Sequence, residues 1–142
     1  MQVRLLTPTD GELLAAAAAA FKKAPPSAAY RFLAEPAAIA FVATSDADIA
    51  GWTWGYRQIR PDGRDQVLLY EIETAIKWRR RGVGTALLRA VLDLARDEGF
   101  ARVWLCTNES NEAAMALYPA EGGKRFQEDD VVFRWDLRSN RQ

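Results

Sequence analysis

The segment Arg79-Arg80-Arg81-Gly82-Val83-Gly84-Thr85-Ala86-Leu87-Leu88 decides how this chain is read. Ahead of it, Gln66 to Ile76 is a long run with a continuous apolar start, which predicts a strand. Behind it, from Val83 to Glu98, the period is helical: Val83, Leu87, Ala90, Val91 and Leu94 share one face, with Arg89, Asp93, Arg96 and Asp97 largely opposite. A strand therefore runs into three arginines and two glycines, and then into an amphipathic helix. Glycine has no Cβ, so an anion can approach this backbone closely. The helix start turns unpaired N–H groups and about half a positive charge toward the same loop. Arginines add charge-assisted bonds to phosphate. Together these build a pyrophosphate cradle. The G-K-[ST] ending of a nucleoside-triphosphate loop is absent, and so is the third glycine of the dinucleotide fingerprint.

Upstream, residues 2–6 read as a short strand, and Thr7-Pro8-Thr9-Asp10 as a helix start with Thr7 as N-cap. The helix runs through the alanine block Ala15–Ala20 to about Lys23, and Pro25-Pro26 breaks it. A second helix covers about Ser27 to Ala34. Strands follow at Ala38–Thr44 and Ile49–Gln58, separated by an acidic turn. Downstream of the arginine loop, Gly99 caps the helix and Ala101–Thr107 reads as a buried strand. Asn111 to about Glu121 is a helix, and Lys124–Gln127 with Val131–Leu137 reads as a closing hairpin. The expected architecture is α/β (α+β): one domain, residues 1–142, around a mixed, mostly antiparallel sheet with at least one parallel crossover.

Composition narrows the chemistry. The chain of 142 residues has 19 basic and 19 acidic side chains, a balance that argues against a general nucleic-acid partner. It contains no histidine and a single cysteine, Cys106, so histidine triads, intramolecular disulfides and Cys/His metal clusters are excluded and no metal is expected. Proton transfer falls to carboxylates, Tyr, Lys, Cys106 or water. Cys106 reads as a small buried hydrophobe between apolar neighbours. No apolar run is long enough to span a bilayer, and the lone thiol suits a reducing cytoplasm. The oligomer is left open between monomer and homodimer.

A second motif follows at a fixed distance: Asn111, Ala114 and Tyr118, then Gly122-Gly123. Arg79-x-x-Gly82-x-Gly84 between a strand and a helix, followed by N-x-x-A-x-x-x-Y, resembles the acetyl-CoA-binding signatures of the GNAT superfamily of N-acetyltransferases. The order of elements resembles that superfamily over nearly the whole chain. Leu69-Tyr70-Glu71-Ile72, Ala113-Met115-Leu117-Tyr118 and the acidic turn before Val132-Phe133-Arg134-Trp135-Asp136-Leu137 resemble the type I aminoglycoside 3-N-acetyltransferases more closely. Glu73, Thr74 and Ile76 depart from that closer pattern.

The resemblance implies a sheet whose fourth and fifth strands splay, with coenzyme A in the gap. It implies that Arg79, Arg80, Arg81, Gly82, Val83, Gly84 and Thr85 hold the pyrophosphate, and that backbone groups of Ile72, Glu73 and Thr74 meet the pantetheine arm. Asn111 would bond the same arm, Ala114 belongs to the same helix motif, and Tyr118 would protonate the leaving thiolate. A base is needed because an ammonium cannot attack a thioester. Glu71 and Glu73 lie two apart in one strand and so share a face, and two close carboxylates raise one pKa. The expected activity is acetyl transfer from acetyl-CoA, as cosubstrate, to a primary amine of a small molecule, such as an aminoglycoside. The alternatives are a protein or peptide amine and a non-catalytic acyl-CoA-binding regulatory module. Trp52, Trp54, Trp104 and Trp135 read as packing residues, and Glu128-Asp129-Asp130 as a solvated turn.

Overall fold

Thr7 opens the first helical segment through its side chain. Its hydroxyl accepts from the Thr9 N–H, and the Asp10 carboxylate accepts from the Thr7 N–H at 2.7 Å. This reciprocal pairing is a capping box. A 3-10 turn at Pro8–Asp10 leads into α1 (Gly11–Phe21), and α2 (Pro26–Ala34) begins on a proline whose missing N–H costs nothing in a first turn. The computed structural model describes residues 1–138; residues 139–142, the end of the expected domain, lie outside the described residues. The chain divides into two compact units, Met1–Asn108 and Glu109–Gln142.

The first unit is built on one sheet: β1 (Gln2–Leu5), β2 (Ala38–Ser45), β3 (Asp48–Gln58), β4 (Gln66–Thr74) and β5 (Arg102–Trp104), in that spatial order. The first four strands meander antiparallel, because short turns suffice to reverse them. β5 is parallel to β4, and α3 (Val83–Asp97) supplies the crossover that a parallel pair needs. Helices cover both faces. Trp52 belongs with Leu14, Ala17, Ala29 and Leu33 of α1 and α2 in one buried cluster. On the other face α3 buries Val83, Leu87, Leu88, Val91 and Ala95 against the sheet. Gly51 is bare because a Cβ there would meet the Glu73 carbonyl and Val83 Cγ1, each at 2.8 Å. No helix among the described residues is long and apolar enough to cross a membrane.

Three details of this unit differ from the sequence-based expectation. β4 ends at Thr74 rather than Ile76, which starts a 3-10 turn, Ile76–Trp78. β5 covers only Arg102–Trp104, against an expected Ala101–Thr107. Cys106 consequently lies past the strand and is exposed rather than buried. The cause is in β4: its pairing with β5 stops at Leu68, so the ladder that would extend β5 is missing.

The second unit is organised by α4 (Glu112–Ala120). The Asn111 side chain caps it, accepting from the Ala114 N–H at 3.1 Å. The expected hairpin at Lys124–Gln127 and Val131–Leu137 is not formed among the described residues. Val131, Val132, Phe133, Trp135 and Leu137 are all largely exposed. The apolar pattern of a strand is present, but two strands alone bury too little to hold each other. Trp135 accordingly packs beside Phe133 at 6.4 Å, not in a core.

Candidate active site

The site of the first unit starts from a slip in register. Gly55 pairs with Leu69, but Trp54 pairs with Glu71, so Tyr70 is the extra residue of a β-bulge. Side chains alternate along a strand, and direct cross-strand partners share a face. Before the bulge, Val67 and Leu69 point to the α3 face and are buried. After it the phase is reversed. Glu71 and Glu73 stand on the opposite face, with their partners Trp54 and Trp52. Without the bulge both carboxylates would point into the apolar packing under α3. Gly55 allows the slip, since a Cβ there would sit 2.0 Å from the Leu68 carbonyl oxygen. Thr53, fully buried, donates its hydroxyl to the Glu71 carbonyl at 2.7 Å and steadies the strand just past the bulge.

The two carboxylates share one cation. Lys22 Nζ lies 2.8 Å from Glu71 Oε2 and 3.1 Å from Glu73 Oε1. The second contact is an ion contact without hydrogen-bond alignment, since that oxygen has no bonding partner of good geometry. The Trp54 indole N–H donates to Glu71 Oε1 at 2.9 Å. These partners separate two chemically identical groups. Burial works to raise the Glu71 pKa, but the interactions with Glu73, Lys22 and Trp54 outweigh it and hold it below the ordinary value. Burial, and then the adjacent Glu71 carboxylate, push Glu73 above it. The neighbouring carboxylates, Glu71 first and then Glu73, raise Lys22. Glu71 is therefore the fixed charge of the pair and Glu73 the stronger base.

At the far end of β4 the arginine loop has the geometry of an anion cradle. Arg80 and Gly82 both have left-handed backbones, with φ 63° and φ 80°. Gly82 is the N-cap of α3, and the first helical bond runs from the Ala86 N–H to its carbonyl at 3.0 Å. The N–H groups of Val83, Gly84 and Thr85 thus open the helix without intrahelical acceptors. Left-handed turn residues ahead of a helix N-terminus gather N–H groups into a concavity that suits an anion. Arg79, Arg80 and Arg81 are exposed around it. The Arg81 guanidinium stacks over Trp78 at 5.1 Å, with Lys77 Nζ at 5.6 Å from the same ring. Ile72, Glu73 and Thr74 lie on the part of β4 beyond the β5 ladder, where the strand edge is available.

In the second unit Asn111, Ala114 and Tyr118 lie on one helix. Asn111 spends its side-chain oxygen on the cap, which leaves its amide N–H₂ as the group able to donate. Ala114 is buried. Tyr118 is partly buried, and burial raises its pKa, so the phenol stays protonated at neutral pH.

The sequence did not reveal the cavity beside the carboxylates. A pocket of about 390 Å³ lies between α1, α2 and the β3–β4 face. The sheet side is aromatic, with Trp52, Trp54 and Tyr56 of β3 and Tyr70 of β4. The helix side combines the small Ala18, Ala24, Ala28 and Ala29 with Leu14 and Phe32. Lys22 and Glu71 are its charged members. The period-two spacing of Trp52, Trp54 and Tyr56 was the available signal. Lys22 carried none, because its partners are set by tertiary packing.

Residues 9–122 match the family described as the acetyltransferase (GNAT) family. N-acetyltransferase 8 of Homo sapiens is 34% identical over 95 residues, covering 66% of this chain and 42% of that protein. N-acetyltransferase 8F1 of Rattus norvegicus is 34% identical over 77 residues, covering 54% and 35%. The chain thus matches less than half the length of these curated relatives. An aminoglycoside acetyltransferase from an uncultured soil metagenomic sample superposes with TM-score 0.81 at 23% identity, over 98% of both chains. AAC(6')-Iy, solved in complex with the bisubstrate analogue CoA-S-monomethyl-acetylneamine, superposes with TM-score 0.78 at 19% identity, over 95% of this chain and 97% of that one. At these identities the likeness shows a common fold.

Proposed function

From the premise that the chain belongs to the GNAT acetyltransferase family, we propose that it transfers an acetyl group from acetyl-CoA to a primary amine of a small molecule by direct attack in a ternary complex. One observation carries this reading. A single strand, β4, bears the carboxylate pair past its bulge and leads, through the Ile76–Trp78 turn, to the loop whose left-handed turn opens α3. A candidate base and a candidate anion cradle would therefore be held on consecutive elements of the chain, as transfer between two bound substrates demands.

The residues fit coenzyme A by the chemistry of their donors. Backbone N–H groups of Gly82, Val83, Gly84 and Thr85 and the side chains of Arg79, Arg80 and Arg81 would hold the pyrophosphate. Ile72, Glu73 and Thr74 would offer strand backbone to the pantetheine arm, and Asn111, in the motif that contains Ala114, its side-chain N–H₂. Acetyl-CoA supplies an activated thioester carbonyl. Glu71, kept ionised, holds the incoming ammonium. Glu73, the stronger base, takes one proton from it, directly or through water. The amine nitrogen then bonds to the carbonyl carbon as the C–S bond breaks. Tyr118 donates its proton to the departing sulfur and is reprotonated by the second proton that the nitrogen loses. One proton is released for each amide and thiol formed.

The test is thiol release from acetyl-CoA across a panel of primary amines, compared with the Glu73→Gln protein. An amine-dependent rate that falls about 10²-fold or more in the variant is expected for loss of a positioned base. A panel with no amine-dependent thiol release would leave only the acyl-CoA-binding alternative.

A further inference from the structure

Lys22 stands where a substrate should. Its primary ammonium, on a side chain half exposed, bridges Glu71 and Glu73. It is the same chemical group as the one the reaction must deprotonate, resting on the same two carboxylates. A lysine at the rim of a pocket can swing out into water, because its stem is flexible and its head strongly hydrated. The lysine head group fills the one ammonium position that both carboxylates reach, and its departure frees that position. Glu71 is the sole acidic residue among those lining the pocket. Beyond Glu71 and the adjacent Glu73, the lining offers no anion to the other charges of a multiply charged amine.

The rest of the cavity asks for an apolar body. Tyr70 stacks on Trp54 with ring centroids 4.6 Å apart and 17° between planes. Phe32 meets Trp54 edge-on at 5.7 Å. The Trp54 ring thus borders the pocket while its N–H fixes Glu71. A carboxylate at the edge of an aromatic wall suits an amine held two or three carbons from a ring. The alanines opposite leave the space in which such a ring would lie. Trp52 adds a buried indole N–H with no partner.

We infer that this pocket takes a singly charged primary amine with an aromatic body, whose ammonium displaces Lys22 from Glu71 and Glu73 and whose ring packs against Trp54 and Tyr70. The inference rests on the transferase reading for the fate of the amine, but not for its binding.

The experiment measures thiol release with 2-phenylethylamine, propylamine and kanamycin, and in parallel the quenching of tryptophan fluorescence by each amine without acetyl-CoA. The expected KM for 2-phenylethylamine lies about tenfold or more below both others, the scale of one well-packed ring. Lys22→Gln should lower that KM further, since the competing ammonium is gone. Ala28→Phe, at an exposed position lining the pocket, should raise it about tenfold while the stabilisation by acetyl-CoA is retained. Turnover with kanamycin at an equal or lower KM, or a raised KM in Lys22→Gln, would overturn the inference and leave the transferase reading standing. Absence of turnover with every amine, together with saturable quenching by 2-phenylethylamine that Ala28→Phe weakens, would uphold the pocket and remove the transferase. Absence of both signals overturns the inference.

Discussion

Glu71 and Glu73 are two residues apart on one face, yet their surroundings give them opposite tendencies, and stability should report it. The Glu71 pKa lies below its ordinary value of 4.5. Its contribution is therefore present above that value and is lost as pH falls through the lower folded pKa. Glu73 has the reverse sign. Its raised pKa favours the protonated fold, a contribution complete below 4.5 and lost as pH rises through the folded value. At pH 7, Glu71→Gln should lower the Tm by roughly 3 °C, the scale of about 1 kcal/mol for a partly exposed ion pair in a chain of this size. Glu73→Gln should leave the Tm unchanged or raise it. The Glu73→Gln protein should converge with the wild type below pH 4.5, and the Glu71→Gln protein only as pH falls below the lowered folded pKa of Glu71. Thermal melts between pH 7 and pH 3 decide this, and equal losses at pH 7 would contradict the assignment of Glu73 as base. Tyr118 is the other residue whose state matters. A phenol kept protonated can only give a proton, so Tyr118→Phe should lower kcat about 10²-fold or more while the Kd for acetyl-CoA changes little. Full turnover in the phenylalanine protein would make Tyr118 a packing residue.

The strand β4 is the element on which most of the proposed chemistry depends, and its bulge is its main device. Gly55→Ala places a Cβ 2.0 Å from the Leu68 carbonyl oxygen. Backbone cannot yield there as a side-chain end could, so a loss of about 2 kcal/mol or more is expected, within the range seen for overpacked cores. Activity should fall further than the lost folded fraction, because the phase of Glu71 and Glu73 depends on the same contact. Denaturant titration gives the stability and steady-state rates at low temperature give the activity; a stable Gly55→Ala protein of normal rate would refute this account of the bulge. The bulge also marks where the sequence stopped being legible. The Thr7-capped first turn, α3 and the Asn111-capped α4 follow from local rules of period, cap and glycine, and appear within a residue or two of their predicted bounds, with α1 itself starting only at Gly11. Register belongs to pairs of strands, and one extra residue at Tyr70 leaves no trace in a hydrophobic pattern. The shared face of Glu71 and Glu73 was readable because both lie on one side of the slip. The shortened β5 and exposed Cys106 were not, because they follow from where the β4 ladder ends. The alanine run of α1 was visible as composition, but its consequence, a cavity facing the aromatic stripe of β3, needed the packing of two helices on a sheet.

At the scale of the whole molecule, ligand binding and folding are one equilibrium. The proposed cradle at Arg79–Thr85 depends on Gly82 at φ 80° and on α3 intact behind it, and neither exists in an unfolded chain. Acetyl-CoA should therefore bind the native state alone, and at ~100 times its Kd should add ~2.7 kcal/mol of stability. For a chain of this length that is a rise in Tm of roughly 5–10 °C. Gly82→Glu should abolish the rise, because a carboxylate would stand beside the pyrophosphate site. The same change also strains the backbone, since only glycine adopts a positive φ freely, so the unliganded Tm should fall by about 1 kcal/mol's worth on its own account. Gly82→Asn separates the two effects. Asparagine tolerates a left-handed backbone and adds no charge, and space is open around the glycine, with nothing within 4 Å of an added Cβ. The asparagine protein should keep most of the acetyl-CoA-dependent rise, whereas the glutamate protein keeps none. Differential scanning fluorimetry with and without acetyl-CoA, each variant against its own baseline, makes the comparison. An unshifted wild-type Tm at saturating acetyl-CoA would remove the cradle, and an undiminished shift in Gly82→Glu would move the pyrophosphate elsewhere.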